Sequence, residues 1–468
     1  MTTESATPRW ADLLEPDHLV PLVVLATGVL LHSMNALLMS TVMPSAVKDI
    51  GGLEYMAWPT TGFLAASVVA ASGGSVVKAA LGARNAYILA ALLFAGGSLI
   101  AGAAPNIFVL VSGRVVQGFG GGLLSSVAYV IVRNVFPQAL WAHVFALFSS
   151  VWGISALAGP LIGGVFAGMG YWPGAFYVIA AIALLVAAFA TLTLPSDPAA
   201  ETLPRFPGLR LAMVAAAIIS LSLAGPAESI GTQLAYIALG LVLFVVALNV
   251  DRRAASPLAP SDAFSLHTAC GLALWVLFLL SVANDPFPIY GPLFLQVLRD
   301  MDPLDAGYLV AMEAMSWTIV AAIVAGSPER IARLFVAFGP LAMGVGLVII
   351  SMTIESASIP WLLMGIFFAG GGIGASFAFI SRIILASANE RDADAAATSI
   401  PTVQLVGLAT GAAIAGLLAN VTGFSSGLSV ETASSASTWV PGAFVLAALA
   451  ASLLASSLVF SNRLKGNW

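Results

Sequence analysis

Charge is what this sequence has least of. Asp, Glu, Lys and Arg make up 8% of its 468 residues, against roughly 25% in a soluble chain, so there is too little polar surface to coat a water-soluble body of this size. Cysteine is almost absent: Cys270 stands alone, which excludes an intramolecular disulfide and a thiolate metal cluster. The four histidines, His18, His32, His143 and His267, have no metal-ligand spacing. No nucleophile and base pair up, and no phosphate loop stands out. The glycines of "GFGGG" at 118–122 follow no strand and therefore read as packing residues. No metal, cofactor or nucleic acid is called for. The net charge of −5 comes from tails and loops (Glu4, Asp12, Glu15, Asp17, Glu390, Asp392) and names no partner.

What the sequence has instead is apolar length. It is 60% hydrophobic with a mean hydropathy of +1.00, and the apolar residues gather into fourteen stretches: 19–43, 57–78, 85–104, 106–132, 142–167, 173–194, 209–226, 232–250, 268–297, 305–325, 332–353, 358–385, 395–419 and 438–460. A hydrocarbon core of about 30 Å takes roughly 20 apolar residues per helical crossing, and the backbone inside it must bond to itself. The expectation is an all-α polytopic membrane protein with fourteen transmembrane helices and both termini on one side. The first 18 residues are too polar for a signal peptide's apolar core, so the first stretch reads as an uncleaved span.

Basic residues alternate between the connecting segments. With the N-terminus inside, the inner segments hold Arg9, Lys78, Arg84, Arg133, Arg205, Arg210, Arg252, Arg253, Arg330, Arg333, Arg382, Arg391, Arg463 and Lys465, whereas the outer ones hold only Lys48 and Arg299. That asymmetry predicts cytoplasmic N- and C-termini.

The helices group as six, two and six. Residues 1–18 form a cytoplasmic tail, 19–194 a six-helix bundle, 195–267 a linker with two extra helices at about 209–226 and 232–250, 268–460 a second six-helix bundle, and 461–468 another cytoplasmic tail. The extra pair has no charge in its interior and lies between the Pro-rich loops "PSDPAAETLPRFPG" and "DRRAASPLAPSDAF". It reads as a lipid-facing hairpin that the transport site does not need.

A charge held at mid-membrane costs roughly 2.5–3.5 kcal/mol on insertion scales, and three residues meet that description: Arg114, Asp285 and Glu313. Asp285 lies in "SVANDPFPIYGP", where Pro286, Pro288 and Pro292 should break the helix and free carbonyls toward a cavity; alternatively the helix ends early and Asp285 caps it. Glu313, with Trp317 one turn along, can greet a cation or form a structural ion pair. Arg114 with Gln117 puts a positive charge in the first bundle or clamps two helices. His32 and Asn35 share a face of the first span, where His32 could titrate or simply pack. Pro160 removes a helix bond between Gly159, Gly163 and Gly164, which suggests a hinge. Arg382 is near enough to the cytoplasm to snorkel.

Four segments carry a family resemblance. "SGRVVQGFGGG" at 112–122 and "GISALAGPLIGG" at 153–164 resemble the helix-four Arg-x-x-Gln-Gly motif and the helix-five antiporter motif of the major facilitator superfamily. "YGPLFLQVLRDMDPLDAGY" at 290–308 and "YMAWPTTGFLA" at 55–65 are similar to its helix-nine exit and helix-two entry. The resemblance covers nearly the whole chain and points to the fourteen-helix drug/proton antiporter branch. It implies alternating access between two halves, with Arg114 assisting proton movement or substrate binding. Two positions depart from the pattern. Asn35 stands nine residues before Pro44, where the family has Asp, and Ala79 replaces an Asp in the cytoplasmic gate that Lys78, Gly82 and Arg84 otherwise preserve.

These features together predict a secondary active transporter of the plasma (inner) membrane, read as a monomer, whose partners are a small-molecule substrate, protons and lipid. The expected activity is proton-coupled export of a small amphipathic organic compound or drug, with coupling carried by Asp285 and Glu313. Import or facilitation of a specific metabolite is the rival. An enzyme or signalling protein is disfavoured, since no catalytic constellation or output domain is present.

Overall fold

In the computed structural model, residues 13, 15–137, 140–195, 206–254, 257–356, 358–387 and 393–460 are described. Arg9, Arg205, Arg391, Arg463, Lys465, Glu4, Asp12, Glu390 and Asp392 lie outside them, as do both predicted tails apart from a few residues of the first. Among the described residues the chain is helical throughout. In the first half run α1 (Pro16–Ile50), α2 (Trp58–Leu81), α3 (Ala83–Gly102), α4 (Ile107–Val135), α5 (Trp141–Gly168) and α6 (Pro173–Thr193). Then come α7 (Gly208–Ala224) and α8 (Ile230–Arg252). The second half holds α9 (Ala269–Asn284), α10 (Pro286–Arg299), α11 (Pro303–Val324), α12 (Glu329–Thr353), α13 (Ile359–Ser387), α14 (Ala393–Val421) and α15 (Val430–Phe460).

Each predicted span overlaps a helix, and the ninth overlaps two, because the chain breaks at Asp285. Among the described residues twelve stretches are long and apolar enough to cross a membrane, with α9 and α10 counted together as Ala269–Arg299, and Gly153–Gly168 and Gly208–Ala224 are shorter apolar helices. The boundaries differ most at α15, which starts at Val430, eight residues before the predicted 438. Its first turns, "VETASSAS", are polar enough to resemble a loop, yet Ala433, Ala436 and Ser437 are buried. Tertiary packing has overridden the local signal.

Helices α1 to α6 pack on one another, as do α9 to α15. Both sets use the same clasp. On α4, a methyl group added at Gly118 or Gly122 would collide with the carbonyl oxygens of Phe63 and Ser67 on α2. On α13, Gly370 and Gly374 lie equally close to the carbonyls of Glu313 and Trp317 on α11. In both cases only glycine lets two backbones approach this closely.

The two sets meet through α5 against α11 and α2 against α14, with α1 touching α10 and α11. Several of their closest approaches lie at one end. Gly164 abuts Leu304, and Gly307 abuts Thr41 and Pro160. Nearby, Asn420 Nδ2 donates to the Glu54 carbonyl at 2.8 Å, and Gly416 packs on Ala57. Beyond this seal the two sets enclose a cavity of about 810 Å³ whose lining includes Lys48, Glu54, Asp300 and Asp302.

The α7–α8 hairpin differs from expectation. Its interior carries no charge, but its two ends are joined by a buried ion pair, Arg210 with Asp251. The Asp251 carboxylate also accepts from the Leu258 N–H at 2.9 Å and the Ala259 N–H at 3.1 Å. Helix α7 packs on both α2 and α14, and Trp58 Nε1 donates to the Ser222 carbonyl at 3.3 Å. The hairpin is therefore fastened to both halves, while α8 stays largely exposed to the surroundings, with Ile230, Leu234 and Val242 on its outer face.

Asp251 serves three partners. Breaking a buried pair from one side costs about 3–5 kcal/mol, and stranding the loop N–H groups adds about 1–3 kcal/mol. Asp251→Leu should accordingly lower the melting temperature of the detergent-purified protein more than Arg210→Leu does. Equal shifts in scanning fluorimetry would show that the loop bonds contribute nothing.

Candidate functional site

The polar side chains buried at mid-helix form two groups that treat their charges in opposite ways. The first is built on α4, where Arg114 is fully buried. Its Nη1 donates to Gln117 Oε1 at 2.6 Å and its Nε to the Pro59 carbonyl at 3.3 Å. Gln117 Nε2 donates to Ser98 Oγ at 2.7 Å, and Ser98 in turn donates to the Phe94 carbonyl at 2.7 Å. The guanidinium carbon lies 4.3 Å from the centre of the Phe63 ring, an arrangement worth up to about 2 kcal/mol when desolvated. His32 stacks on the same ring with centroids 5.5 Å apart. The helix-four motif thus supplies a cation whose hydrogen bonds go to Gln117 and a carbonyl, and whose face is covered by an aromatic ring. Among the described residues Arg114 makes no ion pair.

Asn35, three residues beyond His32, is fully buried, and among the described residues neither its amide oxygen nor its amide nitrogen has a hydrogen-bond partner. Each such unmade bond costs about 1–3 kcal/mol.

The second group lies where α9 breaks. Asp285 occupies the N-cap position of α10, followed by Pro286 at its first turn. The side chain makes no capping bond, so the early-ending helix is present without the capping role. Asp285 is 7% exposed and Glu313 4%. Among the described residues Asp285 Oδ2 and both Glu313 carboxyl oxygens are without hydrogen-bond partners, and α10 and α11, which carry the two carboxyls, pack on each other. Trp317, one turn from Glu313, packs against Phe377 at 5.6 Å. The shared clasp relates the two groups: Glu313 sits on α11 where Phe63 sits on α2. Where the first half covers a cation with a ring, the second half places a carboxyl.

Sequence reasoning missed Phe63, Ser98 and Asp251. The segment containing Phe63 was picked out, but nothing in it marks the ring as Arg114's neighbour.

The glycines of α5 are interface residues. Gly159 meets the α1 backbone at Met34, Gly163 meets Thr41, and Gly164 meets Leu304 across the seal. One turn before them, Ser33 and Ser155 share a hydrogen bond. Pro160 is accommodated within an unbroken α5. At the opposite end, α2 closes with the Gly82 N–H donating to the Lys78 carbonyl at 2.8 Å, and Gly82 has φ 77°, a conformation that favours glycine. Lys78 and Arg84 make no ion pair among the described residues, consistent with Ala79 standing where an acid would answer them. Arg382 is exposed.

Comparison with known proteins agrees with this geometry. The family model described as Major Facilitator Superfamily matches residues 25–397. A probable multidrug-efflux transporter of Mycobacterium tuberculosis is 33% identical over 436 residues, covering 89% of this chain and 91% of its own length. The multidrug efflux pump SdrM of Staphylococcus aureus is 24% identical over 302 residues, covering 64% and 67%. Among solved structures, a POT family transporter in complex with 5-aminolevulinic acid superposes with a TM-score of 0.67 at 15% identity, covering 93% of this chain and 96% of that one. At that identity it speaks to the fold.

The seal offers a direct test of the packing. A methyl group on Gly307 would collide with Thr41 Cγ2, and such overpacking costs typically about 1–3 kcal/mol. Gly307→Ala should lower thermal stability, and Thr41→Ser, which removes that methyl, should restore most of the loss. If the two substitutions are additive in a double-mutant cycle, the contact is absent.

Proposed function

Because the chain belongs to the major facilitator superfamily, we propose that it is a proton-coupled exporter of small amphipathic organic compounds or drugs, working by alternating access. It is a multi-pass cell-membrane transporter and not an enzyme. Export is supported by the efflux transporters to which it is similar. The observation that carries coupling is the pair of buried carboxyls, Asp285 at the break between α9 and α10 and Glu313 on α11, with carboxyl oxygens that have no hydrogen-bond partners among the described residues.

Proton exchange needs a group that is alternately charged and neutral as the site faces each side. Asn35 cannot titrate, and Arg114 is held by neutral partners, so the two acids carry the task. Substrate favours the ionised carboxyl and releases its proton, while a returning proton favours release of substrate. Arg114, Gln117, His32, Asn35 and Trp317 line or support this site. The α5 segment Gly159, Pro160, Gly163 and Gly164 is where one bundle rocks on the other, and Lys78, Gly82 and Arg84 belong to the cytoplasmic gate. The chain acts as a monomer.

In proteoliposomes, Asp285→Asn should abolish transport driven by a pH gradient while leaving downhill exchange, and Glu313→Gln should weaken it less. If both variants still accumulate substrate at wild-type rates, the carboxyls are structural. Substrate movement that ignores the pH gradient in the wild type would favour the rival, a facilitator or importer.

The membrane topology we propose has fourteen crossings in groups of six, two and six, with both termini cytoplasmic. The two shorter apolar helices complete the count when added to the twelve longer ones, and the bias of Lys and Arg toward one set of loops supports the orientation. The seal and the cavity beyond it then face outward. Leu428 lies in the loop between α14 and α15 and is 44% exposed. On a Cys270→Ala background, Leu428→Cys should be labelled in intact cells by an impermeant thiol reagent; labelling only after lysis inverts the topology.

A further inference from the structure

We propose that the central site selects cations bearing several N–H bonds, primary ammonium above all, over quaternary ammonium cations of the same shape. The proposal rests on the reading of Asp285 and Glu313 as substrate-facing, and deepens it by naming the substrate chemistry.

Thr41 on α1 and Gly307 on α11 touch at the seal, and α11 runs antiparallel to α1 and α5, since Gly164 meets Leu304 while Pro160 meets Gly307. Asn35 lies six residues before Thr41 and Glu313 six residues after Gly307. At 1.5 Å per residue both sit about 9 Å further from the sealed end, at a common depth. Asp285 stands at the start of α10, α10 packs on α11, and α1 packs against both. Side chains from both halves therefore meet one region.

Among the described residues the unpartnered atoms of these side chains are Asn35 Oδ1 and Nδ2, Asp285 Oδ2, and Glu313 Oε1 and Oε2. With the carboxyls ionised, four are acceptors and one, Asn35 Nδ2, is a donor. Arg114, the buried cation of the first half, directs its hydrogen bonds to Gln117 and the Pro59 carbonyl. The imbalance is one of hydrogen bonds as well as of charge.

A quaternary ammonium group brings positive charge but no hydrogen atom that a carboxyl can accept, so the acceptors stay unmade in a dry site. A primary ammonium brings the same charge with three N–H donors, enough to bridge Asp285, Glu313 and the Asn35 carbonyl together. Sites built to hydrogen-bond a ligand discriminate strongly against the analogue lacking those bonds.

The test is calorimetric titration of the full-length, detergent-purified protein with 4-phenylbutylamine and with its N,N,N-trimethyl analogue, which share chain, ring and charge. The primary amine should bind at least tenfold more tightly. The double variant Asp285→Asn, Glu313→Gln, checked for a wild-type circular dichroism spectrum, should lose that preference. A wild-type ratio below tenfold overturns the proposal, as does no binding of either compound or a preference that survives in the folded double variant. Transport is read separately. Gradient-driven export of both compounds at equal affinity would sink the selectivity and leave proton coupling standing, whereas a tenfold ratio with gradient-independent transport would do the reverse.

Discussion

Everything in this structure answers to one constraint: in an apolar interior, a polar group without a partner is expensive. The backbone meets it by being helical almost everywhere. Buried hydroxyls meet it by donating back to carbonyls one turn earlier, as Ser67 does to Phe63, Ser98 to Phe94, Ser281 to Leu277 and Thr410 to Val406. Arg114 meets it with Gln117, the Pro59 carbonyl and the face of Phe63. Asn35, Asp285 and Glu313 do not meet it. Unmade bonds of this kind persist only where something other than stability maintains them.

The repeated clasp sharpens the contrast. Gly118 and Gly122 lay α4 against α2 just as Gly370 and Gly374 lay α13 against α11. The scaffolds of the halves are alike, so the difference between them lies in what is hung on it. At one clasp stands Phe63, an aromatic lid over a cation, and at the other stands Glu313. One half keeps a fixed charge hydrogen-bonded within itself, and the other holds carboxyls that must look outward for a partner.

Much of this was legible in the sequence, for identifiable reasons. Span positions follow from apolar length, and the break at Asp285 follows from three prolines within seven residues, because proline removes donors wherever it falls. The motif glycines announced close packing without naming the surfaces. What stayed hidden depends on pairing across distance. Asp251 looked like the polar end of a lipid-facing helix until α7 brought Arg210 to it from 41 residues away. Phe63 is one of 25 phenylalanines, and only the approach of α4 to α2 sets it over Arg114. The first turns of α15 read as a loop, since local polarity cannot report that Ala433 and Ala436 will be buried.

The character of the seal bears on how such a molecule moves. Gly164, Leu304, Gly307, Thr41 and Pro160 meet through small apolar surfaces, and the bond from Asn420 to the Glu54 carbonyl is a neutral one. Among the described residues no ion pair locks this end. Parting such surfaces forfeits dispersion contacts that lipid or water partly replaces, so the closed and open forms can lie close in energy. A small energy difference is easily tilted. The largest unmade interactions lie about two helical turns below the seal, at Asn35 and Glu313, and whatever satisfies them differently in the two forms sets the balance, because a ligand shifts an equilibrium only by its differential affinity. A weakly held seal above a strongly unsatisfied site is the arrangement that lets a proton or a small cation decide which way the transporter faces.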